Sequence, residues 1–392
     1  MRLSLYRLVA TLALVLALPL SATAKTTNDS TLPRVMVWTA YGTGAAGYAQ
    51  AAALGGLLKF EEGSNIRILP GRNDVSRMIP LKTGRAGYCL CGIASYFGQE
   101  GIFLFNKPDW GPQPIRMVLA SQGTQSFGLA AAADTGLEHP SELKGQKVIF
   151  IRGADSINMI TSAVLAYGGL TWEDVRRVDA SGTNEAIEAI INGHADVMPM
   201  STRTPLMERI AASPRGINWL DMPNETEKEQ AAWQRAKNVI PYYLPQFETR
   251  GAGVSEEDPW HGGGYALPIL VTNADRDSEE VYALTRFVDE HYDDFKTLAP
   301  GAEGYELSRQ VFDWVMPYHE GAVRYFREQG VWRDEHETHN QSLLARQALL
   351  EQAWEQQLAE SDGDDSPAFQ ASWKERRANA LLEAGFDPGF RR

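Results

Sequence analysis

The chain has 392 residues, with 37 Lys and Arg against 50 Asp and Glu, a formal net charge of −13, seven histidines and two cysteines. An acidic chain with no basic stripe is disfavoured as a nucleic-acid binder. It does not gather anions by long-range steering, so any anionic ligand has to be held by local groups. The histidines are scattered, and no Gly-x-Ser-x-Gly elbow or His-Glu-x-x-His helix appears, so hydrolytic and metalloenzyme chemistry has no motif to stand on. No metal, cofactor or catalytic residue is expected.

Residues 1–24 read as an export signal: Arg2 and Arg7 form a basic start, residues 8–20 are apolar, and Ala22-Thr23-Ala24 is a cleavage site. The apolar run is shorter than the ~20 residues of a spanning helix, and no lipid-anchor cysteine follows. The mature protein is therefore expected from Lys25 onward, in the periplasm and not membrane-embedded. Losing Arg2 and Arg7 takes its charge from −13 to −15.

A strand is predicted over 35–38, a helix over 47–60, a strand over 66–69, a helix over 75–82 and a strand over 88–91. Cys89 and Cys91 sit two apart on that last strand, with Cα atoms at the long edge of disulfide geometry. Both a strained bridge and two buried thiols fit this spacing. A two-cysteine metal site lacks further ligands at suitable spacing.

A second unit of the same kind follows. Strand 148–151 leads through Gly153-Ala154-Asp155-Ser156 into a helix from about 158 to 167, then strand 175–178, helix 184–191 and another strand after Gly193. In such βαβ units a ligand sits beyond the carboxyl ends of the strands, where helix N-termini offer free N–H groups and partial positive charge. Chain crossings between the two units are placed near 126–132 and 265–271. Residues 225–237 read as a charged helical insert, 251–264 as a glycine-rich loop, and 278–295 and 304–315 as helices. Beyond Arg333, helices over 343–358 and 369–384 form a hairpin, packed on the lobes or against a second copy. His336-Glu337-Thr338-His339 reads as a solvated helix start, and Asp196 as a residue that buries a helix end.

Several phrases recur at the spacing of a known family. They are Leu143-Lys144-Gly145 with Val148, Gly169-Leu170-Thr171 with Asp174-Val175, and Ile190 with Gly193 and Asp196. With the flanking Gly42-Thr43-Gly44, Ile240-Pro241-Tyr242-Tyr243 and Pro317-Tyr318-His319-Glu320-Gly321, the stretch from about 35 to 332 resembles the TAXI-type solute-binding proteins. These are the extracytoplasmic receptors of TRAP transporters. The resemblance implies an α/β, two-lobed periplasmic-binding-protein clamshell of type II-like form, here with a C-terminal helical extension. Lobe 1 would hold 25–126 and 265–332, lobe 2 would hold 127–264, and the extension 333–392.

It also implies a non-enzymatic receptor that captures a small organic acid or amino-acid-like carboxylate and hands it to TRAP membrane permease subunits. An ABC-importer receptor and a ligand-sensing partner of a membrane signalling receptor are the alternatives. The expected contacts lie on four loops. Tyr41, Gly42, Thr43, Gly44 and Tyr48 form the first. Arg77 is a candidate carboxylate clamp that could equally pair with Asp74. Gly92 is the third. Asp155, Ser156 and Asn158 combine with Thr202 and Arg203 in the fourth, where Ser156 could cap its helix and Arg203 is a second anion clamp. Trp38, Tyr41, Tyr48 and Tyr88 read as aromatic cleft edges, with core as the alternative for Trp38. Where the family carries polar residues, around Asp74–Arg77 and Cys91–Ile93, this chain departs from it, which points to an unusual acid.

Overall fold

The structure, a computed structural model, describes residues 31–390 apart from 121, 123–125 and 268. The predicted signal and its cleavage site lie outside the described residues. Thr31–Arg392 forms one compact unit. Among the described residues no helix is long and apolar enough to cross a membrane.

Lobe 1 begins with β1 (Val35–Tyr41), α1 (Ala46–Glu61), β2 (Asn65–Gly71), α2 (Asp74–Lys82), β3 (Tyr88–Cys91), α3 (Ala94–Glu100) and β4 (Ile115–Ala120). The chain then builds lobe 2 from β5 (Phe127–Ala132), β6 (Lys147–Ile151), α4 (Asp155–Tyr167), β7 (Arg176–Ala180), α5 (Thr183–Ile191) and β8 (Val197–Ser201). It continues with α6 (Glu208–Ala211), β9 (Ile217–Trp219), α7 (Glu227–Val239), β10 (Leu244–Glu248) and β11 (Trp260–Gly264). It returns through β12 (Ile269–Asn273) to α8 (Ser278–Glu290), α9 (Tyr292–Phe295) and α10 (Glu320–Glu328), and ends in α11 (Asp334–Ala359) and α12 (Pro367–Glu383).

The strands sort into two sheets, one of order β2-β1-β3-β12-β4 and one of order β10-β11-β5-β8-β6-β7 with β9 beside β5. In each sheet the βαβ strands run parallel and the strands next to the crossings run antiparallel. The inner strands β3, β5 and β8 are buried along their whole length, as expected where helices cover both faces of a sheet. The fold is thus α/β and two-lobed.

Several local expectations differ. Of the stretches placed as crossings, Phe127–Ala132 is strand β5 and Ile269–Val271 opens strand β12, because each completes a sheet. Trp260–Gly264 is strand, not loop. Its run of glycines carries no alternating pattern, and antiparallel pairing with β10 supplies the structure. Residues 304–315 hold no α-helix, only short 3₁₀ turns. Gln310 anchors the chain there, accepting from Ala120 N–H at 2.9 Å and donating to Tyr305 O at 3.2 Å. The helix expected over 278–295 breaks at His291. Trp38 and Tyr88 are core, 0% and 1% exposed. Cys89 and Cys91 are joined as a disulfide with Cα atoms 5.2 Å apart, closer than the roughly 6.5–7 Å of a fully extended strand.

The C-terminal hairpin packs on lobe 1. Glu100 of α3 is fully buried and takes two hydrogen bonds from Arg346 of α11, at 2.8 and 2.7 Å, and another from Arg377 of α12. Trp373 donates to Gly101 O at 2.6 Å, and Trp354 crosses Trp373 at 4.7 Å. His336 is not solvated: it is 9% exposed and lies between Phe312 and Trp332. His339 contacts Trp314 O at 2.7 Å. Asp196 receives Lys147 N–H at 3.2 Å and pairs with Lys147 and Arg215, holding the base of lobe 2's sheet.

Candidate functional site

Parallel strands followed by helices bring many loops to one end of each sheet, and here the two ends face each other. Between them lies a cleft of about 380 Å³, at the small end of ligand-site volumes. Tyr41, Phe127, Ile151, Met200, Tyr265 and Leu267 make it apolar. The Phe127 and Tyr265 rings stack at 5.3 Å with an 8° interplanar angle. Thr43, Arg72, Asn73, Thr183, Asn184, Ser201 and Thr204 supply its polar lining.

At the cleft the lobes are fastened by α2 and α4. Asn73 caps α2 through a reciprocal bond with Ser76. The N-cap of α4, Ala154, offers no side-chain acceptor, so the acceptor comes from the opposite lobe. The Asp74 carboxylate takes the Ser156 N–H at 2.8 Å, the Ser156 hydroxyl at 2.7 Å and the Arg77 guanidinium at 2.5 Å. Asp74 N–H donates to Gly153 O at 2.9 Å, and Asn73 Nδ2 to Arg152 O at 3.2 Å. The Arg77 guanidinium lies over Tyr41, 4.2 Å from the ring centre.

Tyr41, Gly42, Thr43, Arg77 and Ser156 all line the cleft as the sequence places them. Arg77 does so while paired with Asp74. Ser156 is not the cap of its helix; it lies in the first turn and donates its hydroxyl across the cleft. α4 starts three residues earlier than expected, so Asp155 also belongs to the helix. Asp155 accepts Leu104 N–H of lobe 1 at 3.2 Å. Burial, the negative charge of Asp74 and, in the opposite sense, the Leu104 bond together push its carboxyl up to about 6.

Other predicted residues act from behind the wall. Gly44 has φ +88°, and a Cβ there would come within 2.7 Å of Leu206. A Cβ on Gly92 would collide with the Tyr41 hydroxyl and Leu267. Tyr48 lies in the first turn of α1, outside the lining. Asn158 turns back to its own strand, bonding Ile151 N–H at 2.9 Å and Ile151 O at 2.8 Å. Thr202 is buried, and its carbonyl accepts Ala252 N–H at 3.1 Å. Arg203 pairs with Glu303 at 2.8 Å, a bridge between lobe 2 and the segment that follows α9.

The lining residues that sequence reasoning missed include Arg72, Asn73, Ser201 and Thr204, which lie on the predicted loops beside the residues chosen there, and two further groups. Thr183 and Asn184 open α5 after β7, the same strand–loop–helix signal that singled out α4, and could have been found by it. Phe127, Tyr265 and Leu267 flank the crossings, where only the packing of the two lobes puts them at the floor.

A profile of the NMT1-like family matches residues 109–330, more than half of the chain. No curated protein sequence matches it. Among solved structures, a protein of Bordetella bronchiseptica RB50 is 16% identical, with 88% of this chain and 98% of that one covered and a TM-score of 0.44. The periplasmic aliphatic sulphonate binding protein SsuA from Escherichia coli is 13% identical, covering 76% and 88%, with a TM-score of 0.41. The amino acid ABC transporter substrate-binding protein AbpA from Streptococcus pneumoniae, bound to L-arginine, is 10% identical, covering 68% and 94%, with a TM-score of 0.41. On the extent of the profile match, the chain belongs to the NMT1-like family.

Proposed function

We propose that this member of the NMT1-like family is an exported, periplasmic solute-binding receptor, without covalent chemistry, that captures a small organic solute between its lobes and delivers it to a membrane transporter. The observation that carries the reading is the apolar cleft of about 380 Å³ enclosed by strand ends and helix starts of both lobes. Binding there spends its free energy on holding two lobes together, which is how a receptor signals occupancy to a permease.

Tyr41, Phe127 and Tyr265 would cover the solute's body, while Thr43, Arg77, Ser201 and Thr204 would meet its polar end. Sequence resemblance assigns the transporter to the TRAP class and the solute to small carboxylates. An ABC importer is the second reading. It is favoured by one observation: the donors expected for a carboxylate, Arg77, Arg203 and the α4 N-terminus, are engaged by the chain's own Asp74 and Glu303.

Native mass spectrometry of the mature protein, purified without denaturation, tests the receptor reading. A retained small molecule whose re-addition raises the melting temperature supports it; at about 100-fold excess over Kd the gain is about 2.7 kcal/mol. Chemical conversion of that molecule on incubation would replace the receptor with an enzyme. Uptake assays with either class of permease then choose between TRAP and ABC.

A further inference from the structure

The start of α4 is an anion-binding place that the protein fills with its own carboxylate. α4 is 13 residues long, so its first turn presents free N–H groups and the positive end of a helix dipole. An amide, a hydroxyl and a guanidinium converge there on Asp74. This is the donor set that would otherwise receive a solute's carboxylate. A separate observation ties the place to the ligand cavity. Arg77 lines the cleft and is 4% exposed, yet its Nε–H is a buried donor with no partner. A buried guanidinium donor left unpaired is costly, and a ligand acceptor would recover that cost.

We infer that Asp74 is the specificity-determining residue of the cleft, an inference that rests on the receptor reading above. Its carboxylate holds the anion place, so a solute carboxylate brought there meets like charge, with the Ser156 amide and hydroxyl and the Arg77 terminal nitrogen already engaged. The native solute therefore presents an uncharged acceptor to Arg77 Nε and an apolar or aromatic body to Tyr41, Phe127 and Tyr265. Without the Asp74 carboxylate, the same donors become a site for small carboxylates.

The test uses the whole mature chain, with acetate and benzoate as probes in titration calorimetry and thermal melts. Asp74→Ala removes the carboxylate at the cleft lining and should bind acetate saturably through the donors it frees, regain thermal stability in its presence, and bind benzoate about tenfold or more tightly than wild type does. Asp74→Asn, which still fills the space, should show neither gain. A folded Asp74→Ala that takes up neither carboxylate, or a wild type that binds both equally well, overturns the inference. If Asp74→Ala does not fold, the solute retained by wild type decides: an uncharged head group supports the inference, and a carboxylate required for binding refutes it. Failure of the receptor reading looks different, namely a wild type that retains no small molecule and responds to none, whatever acetate does to the variant.

Discussion

Two buried carboxylates fasten this molecule, and they do so in opposite ways. Glu100 joins the C-terminal hairpin to lobe 1, is 0% exposed, and is gripped by Arg346 and Arg377 from two different helices. Asp74 joins lobe 1 to lobe 2 and is equally buried, but its charged partner, Arg77, sits one turn along its own helix. When the lobes part, Asp74 and Arg77 stay together, and what the Asp74 carboxylate loses is a pair of bonds to Ser156. When the hairpin parts, three charges lose their partners at once. A carboxylate with its counter-charge on the far side makes a permanent joint, and one that carries its counter-charge with it makes a reversible one.

The largest expected effect breaks the permanent joint. Arg377→Ala or Glu100→Gln should cost about 3–5 kcal/mol, the penalty of stranding a buried charge, read by denaturant unfolding and by new proteolytic cleavage beyond Arg333. Acid should do the same. Burial alone would raise the Glu100 carboxyl, but hydrogen bonds and charge from Arg346 and Arg377 outweigh it and hold it below the ordinary range. A lowered carboxyl contributes stability that is present above its unfolded value of about 4.3 and is lost as pH falls through the folded value. The hairpin should therefore loosen below about pH 4 in wild type, and Glu100→Gln should lack that transition.

The reversible joint should cost less. Ser156→Ala leaves the Asp74–Arg77 pair intact and removes the hydroxyl bond across the joint, a loss of about 1–2 kcal/mol, and small-angle scattering should show a more open average shape. An unchanged scattering curve would mean that the remaining contacts, from the Ser156 amide, Asn73 and Arg203, hold the lobes unaided.

Asp155 sharpens the contrast, because its carboxyl shifts the other way. Raised to about 6 by burial and by Asp74, it favours the fold when protonated; that contribution is full below about pH 4 and is lost as pH rises through 6. Asp155→Asn should thus add about 1 kcal/mol at pH 7.5 and nothing at pH 4, measured by thermal melts at both values. The smallest effect belongs to the rim. Arg203→Ala removes an ion pair with Glu303 that is partly open to water, and should cost under about 1 kcal/mol, less in high salt.

The repeated strand–loop–helix units were legible in the sequence because apolar periodicity and glycine stops report local structure directly. Helix starts were read less well. Asp155 and Ser156 look like loop residues because α4 has no acceptor at its own N-cap, and the missing cap lies 82 residues away at Asp74. Residues 304–315 were legible as apolar but not as irregular, since the Gln310 bonds that hold them reach to Ala120. Trp260–Gly264 hid for the converse reason: glycines carry no pattern, and only β10 makes them a strand.

The sequence by itself determined the two α/β units, the order of the loops that meet at the cleft, the helical extension, and the candidacy of Tyr41, Thr43, Arg77 and Ser156. These follow from interactions within a dozen residues, where backbone geometry fixes what neighbours what. Only the tertiary structure decided which charges are free. Arg203 read as an anion clamp until the fold brought Glu303 against it, the Asp74 carboxylate beside Arg77 found Ser156 82 residues away, and the Arg346 and Arg377 pairing with Glu100 spans more than 240 residues. A charge's partner is set by where distant segments pack, and the free energy of burying it depends on that partner being there.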